Sequence, residues 1–258
     1  MFGLPWLLMA ILIVGLCVTT GVVGLSINRR FVLPRLGKIV HQNEVTAILV
    51  HGVLIIYGLA VALLAIAVWE NHAEVRRTIW AEPAAIGSIY RDTGGYPEPV
   101  RGRLRTLLRS YTEYVIHEAW PMQRRGKIAA GGVEFMDRFQ EELFAFDPAT
   151  EGQKARYQET LHAYNELVNG RRLRLDSVTS GLPGPMWAVI LLGALIALGA
   201  TFFFDVTNVR LHRVMIALLS SITGLLIFLI AYYDRPYRGR HGVSPEAYEL
   251  IHEQLMKP

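Results

Sequence analysis

Two histidine–glutamate pairs, His117-Glu118 and His252-Glu253, are the first hints of metal chemistry in this chain. A helical zinc peptidase needs a second histidine four residues after the first, so that both rings share one face and the glutamate acts as base. Pro121 and Met256 occupy those positions, and the pattern fails. Gly126-Lys127 lacks the upstream glycine and the trailing hydroxyl of a phosphate loop, and no Gly-x-Ser-x-Gly elbow or calcium loop occurs. A single cysteine, Cys17, permits no intramolecular disulfide and no cysteine cluster within one chain. The residues give no ground for an enzyme, a metal site or a cofactor.

What remains is chemistry suited to an ion path. Asn43, Glu44, His51 and Tyr57 interrupt or open an otherwise apolar run, and Glu70 follows its end. A histidine in such a run is either a pore-lining or proton-sensing group, or a ring hydrogen-bonded within a helix bundle. Asn43 and Glu44 form a polar ring if several copies surround an axis; otherwise they are a helix cap and an interfacial charge. A second cluster, Asp234, Arg235, Pro236, Tyr237 and Gly239, directly follows the last apolar run. It reads as a juxtamembrane group, with a gating role or a plain stop-transfer role.

The elements that carry these residues are plain from the hydropathy. Four apolar runs, residues 4–27, 46–69, 185–206 and 214–233, come as two, a gap, then two. Each has about 20 residues, the length of a helix crossing a bilayer core. The chain is 52% apolar with mean hydropathy +0.30, too greasy for an ordinary soluble domain of 258 residues. The expected fold is therefore all-α: an integral membrane protein with four transmembrane helices in a 2+2 arrangement and an inserted helical cytosolic domain. Its parts are residues 1–69 (helices one and two), 70–184 (a helical soluble domain continuous with helix two), 185–233 (helices three and four) and 234–258 (a juxtamembrane tail with a short amphipathic helix).

No turn signal separates Trp69 from the polar residues after it, so helix two is expected to run on, with a kink at Pro83. Pro34 and Pro121 are expected to interrupt their helices, and Ser244-Pro245-Glu246 reads as a cap and first turn. Small residues mark close helix contacts: Gly15, Gly21 and Gly24 in the first run, Gly193, Ala197 and Ala200 in the third, Ala217, Ser220, Ser221 and Gly224 in the fourth. The last two faces suit a hairpin of helices three and four. Arg171, Arg172 and Arg174 are expected to face headgroups or pair with Glu166 and Asp176. The +4 net charge, with no basic helix or RNA-binding motif, points to membrane lipids rather than nucleic acid. An even number of spans puts both termini and the middle domain on one side, taken as cytoplasmic in a multi-pass inner-membrane protein; the basic loop 29–38 counts against that side.

Over essentially its whole length the chain resembles the bestrophin-like family of membrane proteins. The resemblance rests on Val68-Trp69, Ala81-Glu82, residues 114–118 (Tyr-Val-Ile-His-Glu) before Trp120-Pro121, and residues 171–175 (Arg-Arg-Leu-Arg-Leu). It continues through Leu182-Pro183 with Trp187, Gly193-Ala194, and residues 234–239 followed by Val243-Ser244-Pro245. The chain departs from the family pattern by Ala119, between Glu118 and Trp120, and by Pro83 after Glu82. Kinship with bestrophins, which are pentameric anion channels, implies a homo-oligomeric, anion-conducting ion channel, with helix two lining the pore and the middle domain forming a vestibule. Glu44 and Glu70, at the two ends of helix two, argue against anion selectivity. The alternative is a non-conducting scaffold or accessory subunit whose soluble helices dock a partner protein or a larger membrane complex.

Overall fold

The computed structural model describes residues 5–36, 42–238 and 242–257. Among these the chain is helix and turn, with no strand. It divides into two compact units, residues 1–71 with 181–234, and residues 72–180 with 235–258. Helix α3 (Gln42–Thr78) passes from one unit into the other without a break, as the unpunctuated sequence after Trp69 required.

The first unit holds α1 (Trp6–Ile27), α2 (Leu33–Leu36), most of α3, α9 (Gly184–Thr201) and α10 (Val209–Tyr233). Four of its helices are long and apolar enough to cross a membrane. Their close contacts differ from the expected α9–α10 hairpin: α10 lies along α1. A Cβ on Gly224 would come within 2.9 Å of Val14 Cα, and one on Gly21 would strike the Ser220 side chain. Small residues do let two helices approach, but they do not say which helix is the partner. Gly193 of α9 receives the Tyr57 ring of α3 instead. Val61, Val68, Ile190, Ala194, Ile227 and Ile230 form the buried apolar seam of α3, α9 and α10.

Pro34 does not end its helix. Between α1 and α2 the chain makes a wide π-turn, Asn28–Val32, in which the Leu33 N–H bonds Asn28 O five residues back. The same turn, Val115–Ala119, joins α5 (Val100–Tyr114) to α6 (Trp120–Gln123), where the Trp120 N–H bonds Val115 O. Each π-turn sets a proline as the second residue beyond it. Widening the ladder by one residue makes room where the ring would otherwise meet the preceding turn. Ala119 sits in this turn and is buried.

The second unit holds the end of α3 with α4 (Ala81–Asp92), α5, α6, α7 (Gly132–Phe144), α8 (Glu151–Val178) and α11 (Glu246–Leu255). The break after α3 falls at Ile79 and Trp80, upstream of Pro83; as the third residue of α4, Pro83 has no intrahelical bond to lose. Thr150 and Gln153 make a reciprocal capping box at the start of α8. At α11 the cap position is taken by Pro245, one residue later than the Ser244 reading, and no side chain caps the helix. Ile86, Leu104, Leu108, Phe139, Leu143 and Leu167 are almost wholly buried at the centre.

Candidate functional site

The four polar candidates on α3 lie on two different faces. Asn43, Val50 and Tyr57 recur every seven residues, two helical turns, and share the face turned toward the rest of the first unit. Asn43 Nδ2 donates to Asp205 O at 3.0 Å while its Oδ1 accepts the Asp205 N–H at 2.8 Å. The Tyr57 hydroxyl donates to Ile190 O at 3.1 Å. Glu44 and His51, also seven apart and each about 100° round the helix from its neighbour in the first set, are exposed on an outward flank with Ile48 and Ile55. The His51 Nδ1 lies 2.7 Å from Ala47 O. A carbonyl only accepts, so Nδ1 carries the proton and Nε2 is the acceptor of the neutral ring. Gly58 is on this outward side too, and a Cβ there, or on Gly52, would meet nothing within 4 Å. Glu70 is exposed at the far end of the apolar stretch.

Polar side chains gather at the two ends of the first unit. At one end Asn28 Nδ2 donates to Phe202 O at 2.9 Å and Arg29 Nη2 to Val206 O at 2.5 Å, so with Asn43 they grip the α9–α10 turn. At the other end Asp234 accepts the Leu182 N–H at 2.5 Å, and Trp69 meets Tyr233 edge to face at 5.1 Å. Within the second unit Arg235 donates to Thr179 O and Ser180 O at 3.2 and 3.4 Å, and Pro236 O accepts the Val243 N–H at 3.0 Å. Tyr237 is buried, with its hydroxyl 3.1 Å from Ser177 Oγ and its ring against Trp120. Gly239 lies outside the described residues.

The densest polar cluster is one the sequence reading did not assemble. Glu82 of α4 and Arg174 of α8 are 0% and 2% exposed. Arg174 grips the carboxylate with both arms of its fork, Nε to Oε2 at 2.7 Å and Nη2 to Oε1 at 3.2 Å, and Tyr111 donates to Oε1 at 2.5 Å. Gly170 makes the approach possible: a Cβ there would sit 2.9 Å from the Glu82 backbone. Arg174 therefore does not face headgroups, nor does it pair with Glu166 or Asp176. Arg172 alone takes Asp176, at an exposed 3.9 Å. The two-residue offset between Arg172 and Arg174 turns them to opposite sides of α8.

Burial works against charge on Arg174, but the Glu82 carboxylate overrides it and holds its pKa well above the ordinary value. Burial, reinforced by the same carboxylate, pushes the Tyr111 and Tyr248 phenols far up. Tyr237 is pushed up to about 12, chiefly by burial. Both oxygens accept hydrogen bonds, and the carboxylate is shielded from solvent. Its geometry makes it a structural tie among α4, α5 and α8.

An all-helical chain with four long apolar helices fits a membrane protein. The bestrophin-like domain family model matches residues 5–248, and the chain belongs to that family. No curated protein and no solved structure matches it. Several of the residues that carried the resemblance turn out to be packing residues, while Trp69, His117, Glu118, Arg172 and Leu173 are exposed. Glu82, Arg174, Trp120 and Tyr237 meet in the centre of the second unit. Val68, Trp187 and Ala194 belong to the seam of the first, and Gly193 and Leu182 make the contacts given above. The signal that would have found the buried pair was there: Ala81-Glu82 and the run 171–175 were singled out, but nothing in sequence spacing links positions 92 residues apart.

Proposed function

We propose that the protein is a homo-oligomeric, multi-pass inner-membrane ion channel in which α3 lines the pore. The observation that carries this reading is the uncovered face of α3. Only 11% of its most apolar stretch is buried within the chain, against 33% for α10. Ile48, Ile55 and Leu59 are 75%, 68% and 62% exposed on that side, and Glu44 and His51 lie among them. Lipid alone does not call for a histidine on such a face, because ionisable groups in a bilayer turn toward protein or water. One chain encloses no polar path with so few polar groups, so several copies are needed around an axis.

In this reading Glu44 and His51 face the axis, with Glu70 at its far end, while Asn43 and Tyr57 hold α3 at the correct rotation. Asp234 through Tyr237 tie the last helix to its surroundings at the membrane boundary. The termini are cytoplasmic, which labelling of a cysteine introduced in the loop 29–38 from outside only would support. The mass of the detergent-solubilised particle is the first test. A ring of several copies supports the channel; a single copy overturns it and favours the scaffold. In planar bilayers His51→Ala is expected to alter conductance or its pH response, and an unchanged record removes His51 from the path.

A further inference from the structure

A second site, unrelated to the pore reading, lies in the second unit. The C-terminal end of α4, the middle of α5 and the end of α11 with the residues after it line an open cleft of about 570 Å³. Arg91, Arg105, Arg109 and Lys257 line it together with Tyr90 and Thr106, and no carboxylate is among the lining residues. We propose that this cleft binds a phosphorylated ligand.

The arginines of α5 divide cleanly. Arg101 and Arg103 have carboxylates, Glu98 at 2.7 Å and Glu142 at 2.8 Å. Arg105 and Arg109, one turn apart on the cleft side, have none within ion-pair distance among the described residues, and neither does Arg91. Among the described residues Lys257 has only Glu253, one turn back, at a loose 3.8 Å. The buried Nε–H of Arg109 has no hydrogen-bond partner among the described residues. Arg105 is held in place: its guanidinium lies 4.8 Å over the Tyr90 ring and its Nε donates to Thr93 Oγ1 at 3.2 Å. Four convergent cations repel one another, and an unpartnered buried donor is costly, so the arrangement is complete only with an anion in it.

The chemistry of the donors narrows the anion. Planar guanidinium forks match the oxygen pairs of phosphate, and a lysine adds a point charge. The volume falls in the range of small-molecule sites, larger than a single halide or phosphate needs. The ligand therefore carries two or more anionic groups or a phosphate on a larger body. A soluble phosphorylated compound and a lipid headgroup share this chemistry.

The test uses the full chain in neutral phosphatidylcholine nanodiscs, with inorganic pyrophosphate as probe in calorimetric titration at low salt. Arg91 and Lys257 are both exposed, so the double variant R91E/K257E keeps the fold, which a melting curve checks. Saturable binding weakened about tenfold or more by R91E/K257E, and changed less than about twofold by R103E outside the cleft, is the expected result. In discs containing phosphatidylglycerol, unchanged affinity assigns the site to a soluble ligand. Loss of pyrophosphate binding there, with phosphatidylglycerol retained in native mass spectrometry by the parent protein but not by R91E/K257E, assigns it to a headgroup. The proposal is overturned if pyrophosphate fails to saturate and no variant-sensitive lipid is retained, or if R91E/K257E and R103E weaken binding equally.

Discussion

In the apolar unit the polar side chains Asn28, Arg29, Asn43 and Asp234 sit at helix ends and bond backbone groups, while the middle of the helices is sealed by aliphatic contact. In the second unit the arrangement is reversed, and a carboxylate–guanidinium pair occupies the centre. The difference follows from what each environment tolerates. Helices with a mostly apolar exterior cannot use burial of apolar surface to choose their partners, so close backbone approach at Gly21 and Gly224 does it. The second unit has a buried apolar core, and at its centre a directional ion pair ties α4 to α8.

Breaking the pair is the strongest way to test that contrast. Arg174→Leu or Glu82→Leu leaves one charge buried without its partner and is expected to lower stability by about 3–5 kcal/mol. The double variant should recover much of that loss in thermal unfolding of the solubilised protein. If each single variant melts like the parent, the pair is not what orders the second unit. Next in size are the glycines. Gly170→Ala and Gly224→Ala each press a methyl into backbone and should cost about 1–3 kcal/mol. Gly58→Ala faces open space, so within one chain the better helix former should add up to about 1 kcal/mol. A loss of oligomer without loss of the folded chain in Gly58→Ala would place a neighbouring copy against that face.

Alkaline titration probes the same centre more gently. A phenol whose folded pKa is raised keeps its proton while the unfolded chain has already released it. Stability tied to Tyr237 is therefore intact below about pH 10, the unfolded value, and falls as the pH rises toward about 12. Tyr111 and Tyr248 act in the same direction. Tyrosinate absorbance should show these three still protonated at a pH where exposed tyrosines have ionised, and early ionisation of Tyr237 in Tyr237→Phe difference spectra would contradict its burial. The smallest effect is expected at the edge of the apolar unit. Asn43→Ala removes two exposed hydrogen bonds to Asp205 and should cost about 1 kcal/mol in the same unfolding assay.

The separation of apolar and polar segments was legible because hydropathy over 20 residues is a local property. The run of α3 past Trp69 was legible for the same reason: no residue there disfavours helix. Proline was misleading at positions 34 and 121, because its cost assumes an ordinary α-helical ladder and the chain uses a wider turn at both places. On α3 the seven-residue recurrence of Asn43, Val50 and Tyr57 was available in the sequence. Which of the two heptad sets, theirs or that of Glu44 and His51, faces inward depends on α9, and α9 is more than a hundred residues away.

The sequence by itself determined the number of apolar helices, the helical character of the segment between them and membership of the bestrophin-like family. All of these rest on composition, period and short motifs read along the chain. Only the tertiary structure decided that α10 takes α1 as its close partner, that Glu82 meets Arg174, and that Arg91, Arg105, Arg109 and Lys257 surround one cleft. Small residues and charges state what a surface can accept; the partner is chosen by the global packing, which no local spacing encodes.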